Sequence, residues 1–325
     1  MPIQALKKTI KQQTTRTYCT NIEYPFYFAK IMNILITGAS GFVGDALMAH
    51  LKRGGHTVTS IQRHTQHNEL NTGSYDCLIH LAARAHVVRE TVQYPYPEFK
   101  EANVDYSMKM AQLARQLQVR RFIFLSTIGV NGHISQQPFT ESDTPKPHND
   151  YARTKWEAEL ALKAFFEKSE TVLTIIRPPL VYGPNPKANF KALLSLCRSP
   201  FPLPLGAIHN RRSLIGIDNL CQFIALCCHH PAAAHQTFLI SDDHDVSITE
   251  LVALIRKALH HAPWLVPIPT SVLKIIFSLL GKRNLNEQLL ADLQIDTSKA
   301  KQLLNWGPAI SFDEGIKRAV TNHVA

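Results

Sequence analysis

The feature of the sequence that most constrains the fold is an alternation of short apolar runs with amphipathic helical segments. The apolar runs lie at 33–37, 57–61, 77–81, 122–126, 172–177 and 237–241. Helical periodicity fills most of the intervals, for example at 43–53, 104–118 and 153–166. Alternation of this kind predicts an α/β fold built on a doubly wound parallel sheet.

The intervals between the apolar runs divide the chain unequally. About 14 residues separate the second run from the third, whereas each parallel crossover needs at least ~10–12 residues. We therefore expect a helix, or a helix together with a strand, to be abbreviated there. From residue 178 the pattern loosens into proline-rich turns. This predicts a first domain at 32–177, to which later strands near 210–241 return, and a smaller C-terminal α/β lobe at 178–325.

The first 31 residues differ from the rest of the chain. They hold five basic residues against one acid, and Met32 directly precedes the first apolar run. No apolar stretch among them is long enough for a secretory signal. We expect either a disordered leader or a start codon assigned upstream of the true one at Met32. So polar a segment cannot bury enough surface to offset the entropy lost when it becomes ordered.

Charge and cysteine usage exclude several classes of protein. The net charge is +10, of which +4 falls in the first 31 residues, and the modest remainder suits an anionic small substrate. No basic run interleaved with aromatic residues indicates a nucleic-acid partner. The six cysteines form no CxxC pair, which predicts reduced thiols, a cytoplasmic location and no metal site.

One apolar segment lies outside the alternating pattern. Residues 271–280 form a run of about ten apolar-rich residues that Lys274 interrupts. Such a run is too short to cross a ~30 Å bilayer core, so no transmembrane segment is predicted. We expect a helix packed on its own domain, with a membrane-surface contact or a dimer contact as alternatives.

Three glycines follow the first strand and open the first helix. Gly38, Gly41 and Gly44 have the spacing GxxGxxG, in the order strand, turn, helix. A dinucleotide's pyrophosphate needs backbone N–H groups at a helix N-terminus and no Cβ atom where the phosphates approach. The order of the elements therefore predicts a Rossmann-like cofactor site, and a tight turn without a ligand is the alternative.

The end of the second strand bears on the choice between the two nicotinamide cofactors. An acid there would bond the 2′-hydroxyl of the adenosine ribose, whereas an arginine suits a 2′-phosphate. The sequence has Gln62 and Arg63 at this place. We therefore expect NADP or NAD as cofactor, with NADP favoured and Arg63 as a contact, a solvated surface arginine being the alternative.

A tyrosine and a lysine four residues apart open a later helix. Tyr151 and Lys155 share a helix face because residues i and i+4 lie one turn apart. Asn149 and Asp150 are both placed to cap this helix. A cation beside a phenol lowers the pKa of the tyrosine by ~1–3 units, toward working pH. The pair therefore predicts an acid–base catalyst.

The same YxxxK spacing also occurs at Tyr96 and Lys100. Pro97 falls inside that window, and the segment precedes the fourth strand, so the earlier pair is a poor candidate. The later pair instead follows a buried strand that ends in the hydroxyl residues Ser126 and Thr127. A hydroxyl there can bond the substrate oxygen that the tyrosine protonates or deprotonates. Simple capping of the strand end is the alternative.

Five motifs occur in the order typical of one known family. They are TGASGFVG at 37–44, HLAA at 80–83, LSTIGV at 125–130, YxxxK at 151–155 and RPPLVYGP at 177–184. On these motifs the chain resembles the extended short-chain dehydrogenases/reductases over about residues 32–322. Within them it is similar to UDP-glucose 4-epimerases and to bacterial enzymes that act on UDP-N-acetylhexosamines. The resemblance implies NAD or NADP, a UDP-sugar substrate bound by the C-terminal lobe, and a homodimer.

The resemblance also implies roles for individual residues. The catalytic residues would be Thr127, Tyr151 and Lys155. The cofactor contacts would be Gly38, Ser40, Gly41, Phe42, Val43, Gly44, Arg63, Leu81, Ala82, Ala83, Tyr151 and Lys155. The substrate contacts would be Ser126, Thr127, Asn189, Arg211 and Arg212. Either arginine would pair with the diphosphate, because a guanidinium fork suits phosphate oxygens.

Departures from the family pattern narrow the activity. Ile128 and Gly129 follow Thr127 where the 4,6-dehydratases have an Asp-Glu pair, which disfavours dehydration. The resemblance then implies reversible hydride transfer at C4 of a UDP-hexose or UDP-N-acetylhexosamine. The enzyme would be a 4-epimerase or a 4-keto reductase that supplies surface polysaccharide precursors. A non-catalytic NADP(H)-binding regulator of the same fold is the alternative, which the presence of both Tyr151 and Lys155 disfavours.

Overall fold

The computed structural model describes residues 30–62, 74–85, 95–186, 188–279, 281 and 284–321. The expectation of a leader at 1–31 therefore lies almost wholly outside the described residues. Within these ranges the strands are β1 Asn33–Thr37, β2 Thr57–Ile61, β3 Cys77–His80, β4 Arg121–Leu125, β5 Val172–Arg177, β6 Leu180–Tyr182, β7 Arg212–Gly216, β8 Thr237–Leu239 and β9 Asp245–Val246.

The helices are α1 Phe42–Arg53, α2 Tyr96–Lys100, α3 Tyr106–Gln116, α4 Asp150–Phe166, α5 Ala188–Cys197, α6 Ile217–Cys227, α7 Ile248–Ala258, α8 Thr270–Leu279, α9 Asn284–Leu290, α10 Ser298–Leu304 and α11 Phe312–Thr321. A π-helical turn, Glu101–Asp105, joins α2 to α3, and a 3₁₀ turn, Ile128–Val130, follows β4. None of these helices has both the length and the apolar character that crossing a bilayer requires.

Six parallel strands form the main sheet in the order β2-β1-β3-β4-β5-β8. The prediction of a doubly wound parallel sheet is confirmed, and β1, β2 and β5 have the predicted bounds. The chain runs from β1 outward to β2 and then returns to β3 on the other side of β1. This reversal creates a crevice at the carboxyl ends of β1 and β3, where α/β sheets bind their ligands. The expected abbreviation between β2 and β3 falls largely on 63–73, outside the described residues.

Both faces of the main sheet are covered, which explains the near-continuous apolar runs of its strands. Alternate strand residues point to opposite faces. One face packs with α1, α6 and α10 and includes Ile34, Ile36, Cys77, Ile79, Ile123 and Ile176. The other face packs with α3 and α4 and includes Leu35, Leu78, Phe122, Phe124, Leu173 and Ile175.

A second, smaller sheet follows β5 in the chain. Its order is β6-β7-β9, with β6 parallel and β9 antiparallel to β7. A separate core packs against it and draws apolar side chains from α5, α7, α8 and α11. The acid Asp242 ties this sheet to α6, because it accepts hydrogen bonds from the Tyr182 hydroxyl (2.6 Å) and from the Asn219 amide (2.8 Å).

Candidate active site

The turn after β1 packs directly against the loop after β3. Gly38 has a φ of +73°, and a Cβ atom on it would lie 2.7 Å from the backbone nitrogen of Ala82. A Cβ atom on Gly44 would lie 2.1 Å from the Gly38 carbonyl oxygen, so only glycine fits at both positions. Gly41 is the N-cap of α1 and adds no side-chain cap to the first turn of that helix. The free N–H groups and the positive end of the helix form a cradle for an anion.

The predicted cofactor contacts fall on these two loops at the carboxyl edge of the sheet. The first loop carries Gly38, Ser40, Gly41, Phe42, Val43 and Gly44, and the second carries Leu81, Ala82 and Ala83. Gln62 is exposed directly after β2, whereas Arg63 lies outside the described residues. The individual contacts with a cofactor stay predictions.

A buried histidine fixes the geometry between the ends of β1 and β3. His80 Nε2 lies 2.9 Å from the Ser107 hydroxyl, which itself donates to the Asn103 carbonyl oxygen at 2.6 Å. Ser107 must therefore accept from His80, and the other ring nitrogen accepts from the Thr37 hydroxyl at 2.7 Å. Burial, together with the neighbouring Lys155 charge, lowers the pKa of His80 to about 3. His80 is thus a neutral structural link, which the sequence analysis did not single out.

Asn103 connects the cofactor loop with the catalytic helix. It lies fully buried in the π-helical turn between α2 and α3. Its amide accepts from the Arg84 backbone N–H at 2.8 Å and donates to the Arg84 carbonyl at 3.2 Å. The same amide donates to the Thr154 hydroxyl at 3.0 Å, between Tyr151 and Lys155 on α4. One side chain therefore fixes the loop after β3 relative to α4.

Helix α4 holds the predicted acid–base pair. Asn149 is the cap, because its side-chain oxygen accepts from the Ala152 N–H at 2.8 Å. Tyr151 lies in the first turn, and Lys155 follows one turn later with its Nζ 3.7 Å from the centre of the Phe124 ring. His80 stacks on that ring, with the ring centroids 5.8 Å apart. Lys155 therefore lies at the same edge of the sheet as the glycine turn.

The structure does not show the lowered pKa that the sequence predicts for the Tyr151 phenol. Burial raises the pKa of Tyr151 to about 12 and lowers the pKa of Lys155 to about 7, although the Glu159 charge acts in the opposite direction on Lys155. The expected net fall in the pKa of Tyr151 is therefore wrong for this structure, because burial determines the direction of the shift. Burial disfavours the charged form of each group, and a lysine with such a pKa is only partly charged at neutral pH.

A second set of buried charges lies one turn beyond Lys155. The Glu159 carboxylate accepts two hydrogen bonds from the Arg177 guanidinium, at 2.9 and 2.5 Å, and one from the Ser126 hydroxyl at 2.5 Å. Arg177 also donates to the Asn131 side-chain oxygen at 2.9 Å. This network joins α4, β4 and β5. It also directs the hydroxyl hydrogen of Ser126, a predicted substrate contact, toward Glu159.

Thr127 stands between β4 and the 3₁₀ turn that follows it. Its hydroxyl oxygen accepts from the Gly129 N–H at 3.2 Å, which leaves the hydroxyl hydrogen available to a substrate oxygen. A Cβ atom on Gly129 would lie 3.3 Å from the Ala152 side chain, so glycine lets this turn lie against the first turn of α4. Thr127 is therefore brought close to the helix end that carries Tyr151.

The predicted diphosphate contacts lie in the second sheet and beside it. Arg212, on β7, donates to the Ala291 carbonyl at 2.7 Å, and burial lowers the pKa of its guanidinium. Arg211 is exposed, and its backbone N–H donates to Asp292 at 2.7 Å. Asn189 belongs to α5, but its side chain lies outside the described residues. The choice between the two arginines stays open.

The cysteines that the structure describes belong to the core. Cys77, Cys197, Cys221, Cys227 and Cys228 are free and buried, and the sulfur atoms of Cys77 and Cys228 lie 3.8 Å apart. Burial raises the pKa of Cys221 to about 12, which makes this thiol a poor metal ligand. In the part of the chain that the structure describes, no cluster of His, Cys, Asp or Glu could hold a metal ion.

Comparison with known proteins decides the family. The model of the NAD dependent epimerase/dehydratase family matches residues 34–241. A UDP-glucose 4-epimerase from Vibrio cholerae is 38% identical over 307 residues, which cover 88% of this chain and 94% of that protein. The chain belongs to the NAD-dependent epimerase/dehydratase family.

A further relative of this family member and a solved structure of the same fold are named for different substrates. An Escherichia coli O157:H7 protein, N-acetyl-alpha-D-glucosaminyl-diphospho-ditrans,octacis-undecaprenol 4-epimerase, is 27% identical over 70% of this chain and 72% of its own. The crystal structure of UDP-N-acetylglucosamine 4-epimerase from Bacillus cereus has a TM-score of 0.75 at 19% identity, covering 90% of this chain and all of that one. The latter likeness establishes the fold.

The epimerase-family site fits its nicotinamide cofactor. Solved structures of the same fold hold NADPH or NAD. Here the glycine turn packs closely at Gly38 and Gly44, where a Cβ atom would strike the backbone, and the buried Lys155 Nζ has no hydrogen-bond partner among the described residues. A buried ammonium without a partner is costly, and cofactor hydroxyls are groups that can accept its hydrogen bonds. The homodimer and the cytoplasmic location implied by the resemblance stay predictions.

Proposed function

We propose that the protein interconverts the C4 epimers of a UDP-hexose or UDP-N-acetylhexosamine. The observation that carries this proposal is that the first turn of α4, which contains Tyr151, packs against the turn that follows Thr127, with Lys155 over Phe124 at the carboxyl edge of the sheet. The identity with a UDP-glucose 4-epimerase supports the sugar nucleotide as substrate. A diphosphate also suits the cationic Arg211 and Arg212 next to the second sheet.

The reaction begins with removal of two hydrogens from the sugar, a hydride from C4 and the proton of the 4-hydroxyl. Bound NAD(P)⁺ supplies the acceptor of the C4 hydride and the donor for its return. Tyr151 takes the proton of the 4-hydroxyl as the C4–H bond breaks, and the sugar becomes a 4-ketone. Thr127 donates its free hydroxyl hydrogen to the same oxygen and orients it.

Inversion requires the 4-ketone to present its other face before the hydride returns to C4. Tyr151 then gives its proton back to the carbonyl oxygen, so that protons and electrons balance over the cycle. Lys155 supports the phenolate of Tyr151 whenever its ammonium form is populated, because a positive charge one turn away favours the negative oxygen. The pKa of Lys155, about 7, allows this switch near neutral pH.

A 4-keto reductase is the second candidate, and Gln62 is the observation that favours it. The residue after β2 is neutral rather than acidic, which suits a 2′-phosphate and therefore NADPH. A reductase consumes one NADPH for each 4-hydroxyl product, whereas an epimerase regenerates its cofactor. Both reactions use Tyr151, Thr127 and Lys155 in the same roles.

The decisive experiment follows the sugar with and without added cofactor. Purified protein is incubated with UDP-glucose or UDP-N-acetylglucosamine, and the C4 epimers are separated by chromatography. We expect the epimer to form, and Tyr151→Phe to lower kcat about 10²–10⁴-fold because the acid–base group is lost. Tyr96→Phe is the matched control, since Tyr96 has the same YxxxK spacing but donates its hydroxyl to Glu157 at 2.9 Å.

Three outcomes separate the candidates. Epimer formation without consumption of added cofactor supports the epimerase. Stoichiometric oxidation of NADPH by a 4-keto sugar, with no epimerisation of UDP-sugars, supports the reductase instead. Equal turnover by Tyr151→Phe and Tyr96→Phe would overturn both, because neither reaction proceeds without a proton carrier at position 151.

A further inference from the structure

Helix α8 turns one apolar stripe inward and leaves a second one uncovered. Leu273 and Phe277 pack into the core of the second sheet. The second stripe has the spacing i, i+3, i+4 and i+7, which places its members on one side of the helix. It consists of four side chains with exposed fractions of 42, 61, 38 and 82%: Val272, Ile275, Ile276 and Leu279.

Two exposed aromatic residues lie on the same lobe and are rigidly held. Phe201 is 72% exposed and Trp264 is 61% exposed. Leu203 bonds to the backbone on both sides of Leu265, at 3.0 and 2.8 Å, so the two aromatic segments run side by side. The buried Arg256 then ties their ends together through the carbonyl oxygens of Phe201 (3.1 Å) and Ala262 (2.8 Å).

We call the four residues of the outer stripe of α8, together with Phe201 and Trp264, the apolar surface. Leu203, Leu265 and Leu273 belong to the same core, so the aromatic segments and α8 are parts of one lobe. Four apolar side chains exposed on one helix face, with two exposed aromatic residues on the same lobe, are typical of an interaction site rather than an ordinary exterior.

The charge around the apolar surface selects its partner. The segments that carry this surface, residues 198–217 and 251–279, contain six Lys or Arg and no Asp or Glu, and of these Arg256 is buried. Lys257 and Lys274 are exposed, and Lys274 lies on α8 itself. A second copy of the chain would oppose like charges without an acid to pair them, whereas an anionic surface would be complementary. Tryptophan, phenylalanine and lysine beside an apolar helix face are typical of the headgroup region of a bilayer.

We propose that the apolar surface docks on the headgroup region of an anionic phospholipid bilayer. Helix α8 lies in the plane of that region, with Ile275 and Leu279 toward the acyl chains. Trp264 and Phe201 anchor the same face at the boundary, and Lys274 meets lipid phosphates. The contact is peripheral, because α8 has only ten residues. It is independent of the chemistry proposed above.

Cosedimentation of the full chain with vesicles tests the proposal. The vesicles contain phosphatidylglycerol and phosphatidylethanolamine, or phosphatidylcholine alone. We expect the wild type to bind the anionic vesicles, and high salt to weaken this binding. The combined variant Trp264→Gln, Ile275→Gln, Leu279→Gln should bind the same vesicles about tenfold or more weakly than the wild type. The matched control is Leu303→Gln, an equally apolar residue that is 42% exposed on α10.

Further arms distinguish the bilayer from other occupants. Lys274→Glu should weaken binding to anionic vesicles, and turnover of a soluble UDP-sugar should be unchanged in all of these variants. Absence of vesicle binding by the full chain and by a chain that starts at Met32 would overturn the proposal. A dimer that the combined variant dissociates, without vesicle binding, would identify a second copy as the occupant and also overturn it. So would equal vesicle binding by the combined variant and Leu303→Gln.

Discussion

Lys155 and Glu159 occupy successive turns of one face of α4, and both are completely buried. They differ in the hydrogen-bond partners that the protein provides for their charged groups. The Glu159 carboxylate accepts three hydrogen bonds from Arg177 and Ser126. The Lys155 Nζ lies over the Phe124 ring and has no hydrogen-bond partner among the described residues. The hydrogen bonds of the Glu159 carboxylate are thus all made within the protein, whereas the Lys155 amine finds hydrogen-bond partners only when a ligand is bound.

This difference distinguishes the residues of the site that stabilise the fold from those that bind the cofactor and take part in catalysis. Buried polar groups are nearly always hydrogen-bonded, so an exception calls for an explanation. Lys155 is explained by its place beside the cofactor crevice, where a ligand supplies acceptors. The two halves are also coupled, because the Glu159 charge opposes the effect of burial on the pKa of Lys155. The structural anchor therefore helps to keep the catalytic lysine protonated.

The largest effect on the free energy of unfolding is expected at the Glu159 end of this helix face. Glu159→Ala leaves the Arg177 guanidinium buried without its carboxylate, which should lower the free energy of unfolding by about 3–5 kcal/mol. Glu157→Ala is the matched control on the same helix. Glu157 also pairs with an arginine, Arg153 at 3.0 Å, but on the surface, so its loss should cost at most about 1 kcal/mol.

Urea unfolding of the three proteins at neutral pH measures this contrast. Equal losses for the two variants would mean that the buried network contributes no more than a surface ion pair. In that case the structural role assigned to the Glu159 end of α4 would be wrong.

A substitution at Lys155 should change the free energy of unfolding in the opposite direction. Lys155→Met removes a buried amine without removing a protein hydrogen bond, so the cofactor-free protein should gain about 1–3 kcal/mol at pH 7. The folded-state pKa, about 7, lies below the unfolded value of 10.5, so the unfolded chain binds the proton more strongly between these values. The wild type therefore gains stability as the pH rises through this window, and the advantage of the methionine variant shrinks.

Unfolding of both proteins at pH 7 and near pH 10 tests the sign, with Lys109→Met, on the exposed side of α3, as control. The methionine variant should lose turnover, and added NAD(P)⁺ should raise its Tm less than that of the wild type. A variant less stable than the wild type at pH 7 would show that Lys155 contributes to the fold rather than to the cofactor site.

Most of the framework of the site could be predicted from the sequence. The bounds of β1, β2 and β5, the glycine turn and a helix cap at Asn149 or Asp150 depend on local patterns, and local patterns are visible in a sequence. Asn103 was missed because a polar residue inside a helical segment looks like an exposed one. Its role comes from contacts with Arg84 and Thr154, which only the tertiary fold brings near.

The electrostatics of the site could not be predicted in the same way. The i, i+4 spacing places Lys155 one turn from Tyr151, but it does not reveal how deeply either group is buried. Burial raises the pKa of Tyr151 to about 12, against the expected fall. The division of roles between Ser126 and Thr127 also needed the structure, because adjacent residues at a strand end point to opposite sides.

That division gives the smallest predicted effect and the finest test of the contrast along α4. Ser126 donates to the buried Glu159 carboxylate, so Ser126→Ala should cost about 1–2 kcal/mol in unfolding free energy. The Thr127 hydroxyl accepts from Gly129 and keeps its hydrogen for the substrate, so Thr127→Val should cost less stability but lower kcat about 10–100-fold. Urea unfolding and steady-state kinetics on the same preparations measure both quantities. If instead Ser126→Ala lowered kcat more than Thr127→Val, the hydroxyl that meets the sugar would be Ser126, and the anchored network would extend into the chemistry.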